Sequence, residues 1–229
     1  MQAPVLAVDG PAGSGKSSVC RGVAERLGLA YLDTGAMYRA MTWAMLHAGV
    51  DVDDPVAVAA AAAPVAIRSG TDPLAPTIHV DDVDVSGPIR GPEVTAAVSA
   101  VSAVPEVRER LVALQRREVA DSVSRGTGVV VEGRDITTVV LPNADLKIFV
   151  TADPAVRAER RAAQDAELGN PVADVRQTEA DLRTRDAKDS TRAASPLAQA
   201  ADAVVVDTTA MTLDQVIAHV CELVDGLSG

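Results

Sequence analysis

Aromatic residues are almost missing from this chain: Tyr31, Tyr38, Trp43 and Phe149 are the only four among 229 residues. The core must therefore be built from Val, Ala, Leu and Ile, and rows of rings that would stack on single-stranded nucleic acid are not provided for. Lysine is scarcer still, with Lys16, Lys147 and Lys188 set against 18 arginines. Net positive charge is absent altogether. The formal charge is −11, which argues against a surface that coats nucleic acid. It leaves room for a small anion held by a few local arginines, whose planar forks suit phosphate. Cysteine is limited to Cys20 and Cys221, which have neither metal-ligand spacing nor a disulfide framework and are expected to be reduced and buried. Long apolar runs are missing too. The longest Ala/Val stretch, Val56 to Ala63, falls far short of the roughly 18 residues of a membrane span. No basic start precedes an apolar run as in a signal peptide. These absences lead us to expect a soluble, cytoplasmic protein with no membrane or nucleic-acid partner.

What is present is enough for a full core. Hydrophobic residues make up 48% of the chain, which excludes global disorder, and the length fits one domain of generous size. Val5 to Asp9 reads as a buried parallel strand bounded by a Gly/Pro turn. A helix is expected from Lys16 to about Leu27, with Gly28 suited to its C-terminal end. A second is expected from Gly35 to His47. Val65 to Arg68 and Thr77 to Val80 form a small β island with turns at Asp72-Pro73 and Asp81-Asp82. Pro92 to Ser124 is helical with a restart at Pro105. Further strands are expected at Val129–Val131, Leu146–Val150 and Ala203–Val206. Helices are expected at Ala155 to about Leu168, Asp174 to Lys188 and Leu213 to Val224. Alternating strands and helices indicate an α/β fold around a parallel sheet.

The sharpest motif is Gly10-Pro11-Ala12-Gly13-Ser14-Gly15-Lys16-Ser17, which matches G-x-x-x-x-G-K-[ST] between a strand and a helix. Glycines let successive N–H groups turn inward on phosphate oxygens, and the following helix adds its positive end. In such a loop Lys16 reaches the β- and γ-phosphates and the Ser17 hydroxyl can ligate Mg²⁺. No Asn precedes any lysine to make the base reader of a GTPase, and Asp84-Val85-Ser86-Gly87 lies in the β island rather than after a long strand. Kinases of nucleotides and small molecules remain.

Weaker patterns accompany it. Asp33-Thr34-Gly35-Ala36-Met37-Tyr38-Arg39 could cup a phosphate, although taken alone a helix cap with a surface Arg is the better account of it. Glu132-Gly133-Arg134-Asp135 follows a strand directly, where open α/β sheets bind ligands. Arg185, Asp189 and Arg192 share a helix face, which on spacing alone is also what a solvated ion-paired face would show. Arg157, Arg160 and Arg161 cluster on one helix. Arg108 lies in a first helical turn, where the dipole disfavours a cation unless an anion or carbonyl partners it.

Taken together, these stretches resemble the bacterial cytidylate kinases. The likeness runs through D-G-P-A-G-S-G-K-S (Asp9–Ser17), D-T-G-A-M-Y-R (Asp33–Arg39), D-V-S-G-P-I-R (Asp84–Arg90) and P-E-V-R (Pro105–Arg108). It continues through E-G-R-D-I-T-T-V-V-L-P-N-A (Glu132–Ala144) and R-D-A-K-D-S-T-R (Arg185–Arg192). The resemblance implies a P-loop fold with a five-stranded parallel core, a small β-containing CMP-binding insert at about 64–92 and a short lid at about 155–185. It implies ATP as donor at Gly10, Pro11, Ala12, Gly13, Ser14, Gly15, Lys16, Ser17 and Ser18, with Mg²⁺ at Ser17. Thr34, Arg39 and Arg134 resemble the binders of the CMP phosphate. Ser99, Arg108 and Asp135 resemble the cytosine readers, Arg185 and Asp189 the ribose-side pair, and Arg192 a further nucleotide contact. Arg157, Arg160 and Arg161 resemble lid arginines that act, with Lys16 and Arg134, on the transferred group. CMP and dCMP would be the acceptors and the enzyme a monomer. Thr137 stands where the family more usually has Gly, which bears on the local loop shape.

Overall fold

The computed structural model describes residues 3–167, 169, 174–191 and 195–228. Its centre is a five-stranded, all-parallel sheet in the order β2-β6-β1-β7-β8. The strands are β1 (Val5–Asp9), β2 (Ala30–Asp33), β6 (Val129–Glu132), β7 (Leu146–Thr151) and β8 (Val204–Asp207). A separate antiparallel sheet joins β3 (Ile67–Ser69), β4 (Ile78–Val80) and β5 (Val83–Asp84). The helices are α1 (Lys16–Leu27), α2 (Thr34–His47), α3 (Pro55–Ala62), α4 (Pro92–Ala103), α5 (Pro105–Ser124), α6 (Pro154–Glu167), α7 (Val175–Thr191) and α8 (Leu213–Asp225).

Side chains alternate across each buried strand, so the sheet divides the interior into two cores. Leu6, Val8, Val130, Ile148 and Val206 pack under α1 and α8. Ala7, Leu32, Val129 and Val131 pack under α2, α3, α4 and α5, where Met37, Met41 and Met45 fill the space that aromatics would take elsewhere. Burial of each such aliphatic side chain is worth about 1.5–3 kcal/mol. The α4–α5 break falls at Pro105, the first residue of α5. Gly28, at φ 65°, closes α1 and donates back to the carbonyls of Ala24 and Glu25.

Three details differ from the sequence pattern. The fifth strand, Ala30–Asp33, has only four residues between a helix stop and a helix cap and carries no alternation to reveal it. The helix expected from Gly35 starts at Thr34, because the Asp33 carboxylate accepts from the Ala36 N–H and caps it. In the β island the first strand runs Ile67–Ser69 rather than from Val65, and a third strand, β5, completes the small sheet. Cys20 and Cys221 are free and buried, as expected.

Candidate active site

The C-terminal ends of β1, β2 and β6 converge on one cleft of about 540 Å³. The 10–17 loop crosses its floor between β1 and α1. Gly10 has φ 151° and a Cβ there would meet the Val150 carbonyl at 2.0 Å; Gly13 has φ 75° and a Cβ would meet the Arg157 carbonyl at 2.7 Å. Only glycine fits either position. At the start of α1 no side chain caps the helix, so its first N–H groups are left for an anion. Lys16 Nζ donates to the Pro11 carbonyl at 2.8 Å. Burial pulls its ammonium down to about 7, and Arg134 adds repulsion.

Beside Lys16 lies a buried carboxylate network. Ser17 donates its hydroxyl to Glu132 Oε2 at 3.0 Å, Tyr31 donates to Glu132 Oε1, and Thr34 donates to the Glu132 carbonyl at 2.7 Å. Burial pushes the Glu132 carboxyl up to about 7, with Asp33 adding to the rise and Lys16 opposing it. The folded state thus keeps a proton on Glu132 that the unfolded chain sheds near 4.5. Ligand-free stability from this group is present at low pH and is lost as pH rises through about 4.5 to 7. Glu132→Gln should remove that loss. Denaturant unfolding at about pH 5 and about pH 7 should show the variant gaining on the wild type at the higher pH; a constant difference would rule out a raised Glu132.

Across the cleft stands a group of arginines that crowd one another. Arg39 donates to the Ile89 carbonyl and the Thr95 hydroxyl, each at 3.0 Å, both neutral partners. Burial lowers its guanidinium to about 9, with Arg185 and Arg161 repelling it. Burial likewise lowers Arg185 to about 10, with Arg134 next, and its Nε is buried with no hydrogen-bond partner among the described residues. Arg134 pairs with Asp189 at 3.0 Å and donates to the Gly10 carbonyl at 3.0 Å. Arg161 pairs with Asp165 at 2.9 Å. Two of these four arginines thus have a carboxylate, and Arg39 and Arg185 are short of one. A bound phosphate would relieve both the repulsion and the missing hydrogen bonds.

Deeper in the cleft, Arg108 and Asp135 form a buried ion pair, each 4% exposed. Arg108 also donates to the Ser102 carbonyl at 3.2 Å and lies over the Tyr38 ring at 5.3 Å. Its place in the first turn of α5 is thus satisfied by a carboxylate. Ser99 lines the same wall.

The comparisons with known proteins agree with this geometry. A sugar kinase from Janibacter sp. HTCC2649 has the same fold at a TM-score of 0.51 and 15% identity, over 97% of this chain and 95% of that one. The cytidylate kinase family profile matches residues 6–226. The chain belongs to the cytidylate kinase family. Relatives named cytidylate kinase include one from Streptomyces griseus, 58% identical over 97% of this chain and 93% of its own. Another, from Nocardia farcinica, is 54% identical over 96% and 93%. One from Mycobacterium leprae is 52% identical over 98% and 97%.

Within this family member the cleft brings together most of the residues singled out in the sequence. Ala12, Gly13, Ser14, Gly15, Lys16, Ser17, Ser18, Thr34, Arg39, Ser99, Arg108, Arg134, Asp135, Arg160, Arg161, Arg185 and Asp189 all line it. Gly10 and Pro11, at the start of the loop, are not in the lining and offer carbonyls to Arg134 and Lys16. Arg157 is not in the lining. It is buried, pairs with Asp186 and donates to the Ala12 carbonyl. Arg192 lies outside the described residues.

Three contributors escaped the sequence reading. Tyr31 is the buried partner of Glu132. Asp186 bridges α7 to the loop. Asp9 accepts from the N–H groups of Ile136 and Thr137 and from the Thr137 hydroxyl, at 2.9, 2.7 and 2.7 Å, and so anchors the turn after Arg134. A carboxylate ending an otherwise apolar strand was the available signal for Asp9. The Thr137 hydroxyl gives Asp9 a third donor that a glycine at this position would lack.

Proposed function

We propose that this chain transfers the γ-phosphoryl group of ATP to CMP, and to dCMP, giving ADP and the nucleoside diphosphate by direct in-line displacement. The observation that carries the reading is the arginine cluster short of anions, facing a phosphate loop across one cleft. Two mutually repelling polyanions can approach only where such cations stand between them. The acceptor phosphate lies with Thr34, Arg39 and Arg134, its cytosine with Ser99, Arg108 and Asp135, and its ribose side with Arg185 and Asp189. The donor phosphates lie on the amides of the loop and on Lys16. Arg160 and Arg161 close on the group in transfer, where charge spreads over its equatorial oxygens.

The donor set also suits magnesium. Ser17 and Glu132 offer hard oxygens, and no cluster of three or more His, Cys, Asp or Glu ligands exists among the described residues. That is the pattern of an ion that takes its other ligands from phosphate and water. Ser17 and Glu132 would hold Mg²⁺ there, and the ion would supply positive charge against the donor phosphates. Ser17 would turn its hydroxyl oxygen to the ion, with Tyr31 still holding the Glu132 carboxylate.

No described helix is long and apolar enough to cross a membrane, and we place the reaction in the cytoplasm, carried out by a monomer without nucleic acid. ADP release coupled to a reporter, measured with CMP, dCMP, UMP, AMP and shikimate as acceptors, tests the reading. Turnover is expected with CMP and dCMP and far less with UMP. Preference for UMP or shikimate would overturn the acceptor assignment, and no turnover with any would leave a nucleotide-binding protein without kinase activity.

A further inference from the structure

The phosphate loop is gripped from α7 at two points. Asp189 pairs with Arg134, which donates to the Gly10 carbonyl at 3.0 Å. Three residues earlier, on the same helix face, Asp186 pairs with Arg157, which donates to the Ala12 carbonyl at 3.1 Å. Asp186 Oδ1 also accepts from the Ala12 N–H at 3.4 Å. One ion pair thus closes on both backbone polar groups of a single loop residue. The contact is sealed by Ala12, Ala158 and Leu182, a small apolar cluster shared by the loop, α6 and α7. Gly13 lies so close to the α6 backbone at Arg157 that a Cβ would not fit. Arg157 is 7% exposed and, unlike Arg160 and Arg161, is absent from the cleft lining.

We infer that Asp186 and Arg157 are a positioning pair that holds the loop in its phosphate-receiving shape and ties that shape to α7. The inference rests on the proposed function, with donor phosphates on the loop and the acceptor among the arginines. A loop of Gly, Ala, Pro and Ser has almost no side chains with which to fix itself, and its glycines make the folded conformation entropically costly. Its amides stabilise a phosphate only when they converge in advance. The Asp186–Arg157 pair supplies that constraint from outside. Because α7 also carries Arg185 and Asp189 into the acceptor side of the cleft, a shift of α7 reaches both nucleotides, and any coupling between them is reciprocal.

Calorimetric titration tests this with a non-hydrolysable ATP analogue plus Mg²⁺ and with CMP, each alone and in the presence of the other. The proteins are wild type, Asp186→Asn and Arg157→Lys, with thermal unfolding measured alongside. In both variants the analogue should bind about tenfold or more weakly, CMP alone should change less than about twofold, and the effect of one ligand on the other should fall toward none. Arg157→Lys keeps the cation and the packed stem, so it reads the same outcomes if Asp186→Asn does not fold. Analogue affinity within about twofold of wild type, or equal weakening of both ligands, would overturn the inference. A wild type that binds the analogue yet neither binds nor phosphorylates CMP would overturn the proposed function, while the analogue affinities of the variants would still decide the role of the pair at the loop.

Discussion

Lys16→Ala is expected to lower kcat by about 10²–10³ without loss of the fold. The ammonium is held over the loop by the Pro11 carbonyl, next to where charge grows on the β- and γ-oxygens as the bond to the transferred group breaks. Burial and Arg134 both disfavour its charge before a nucleotide arrives. In the ligand-free protein Lys16 is therefore a cost to stability, and alanine should leave the melting temperature unchanged or raised. Turnover and thermal unfolding measured on the same preparation separate the two effects. Near-normal turnover in a folded Lys16→Ala protein would sink the assignment of the loop as a donor site.

Base choice should show the second large effect. Cytosine presents an amino donor at its 4-position and an acceptor at N3, whereas uracil reverses both. In the proposed acceptor site the Asp135 carboxylate would accept from the amino group but meet uracil's carbonyl with like polarity, and Arg108 would lose an N3 contact with uracil. Each mismatched buried polar group costs about 1–3 kcal/mol, so CMP should exceed UMP in kcat/KM by roughly two to four orders of magnitude. Ser99 can rotate its hydroxyl to suit either base and should discriminate least. Asp135→Asn adds a donor for uracil and should narrow the gap, chiefly by harming CMP. The buried Arg108–Asp135 pair adds a second consequence. Taking the charge from one partner leaves the other under-compensated, at up to about 3–5 kcal/mol, so the variant should also melt earlier. The decisive quantity is thus the CMP/UMP ratio of kcat/KM rather than the absolute rate. An unchanged ratio would make Asp135 a structural partner of Arg108 and not a reader of the base.

The sequence was most legible where local rules and ligand chemistry coincide. The run Val5 to Asp9, the glycines of the loop and the helix from Lys16 follow from backbone conformation alone, and the structure places them as read. Likewise Pro105 marks the restart of α5. What was illegible depends on contacts between distant segments. Nothing near Tyr31 announces that its hydroxyl meets Glu132, because the two touch only when β2 pairs with β6. Asp186 reads as one more acid on a polar helix until α7 folds over the loop. Arg157 shows the converse. Its spacing with Arg160 and Arg161 suggests three equivalent cations, yet a single turn of α6 separates one that is buried against the loop backbone from two that line the cleft.

The strand order also bears on how the chain is made. β1 is synthesised before the other strands of its sheet, yet its neighbours there are β6 and β7, beginning at Val129 and Leu146. At translation rates of about 5–20 residues per second, its partners emerge roughly 6–30 seconds later. Throughout that interval Val5, Leu6, Ala7 and Val8 form an apolar segment with no strand to pair with. The phosphate loop that follows it cannot take its shape, since the Val150 carbonyl against Gly10 arrives only with β7 and the helices that hold Ala12 come later still. Nascent chains cut short before β7 should therefore bind no nucleotide and should engage chaperones, although the whole Gly10–Ser17 motif is already present in them.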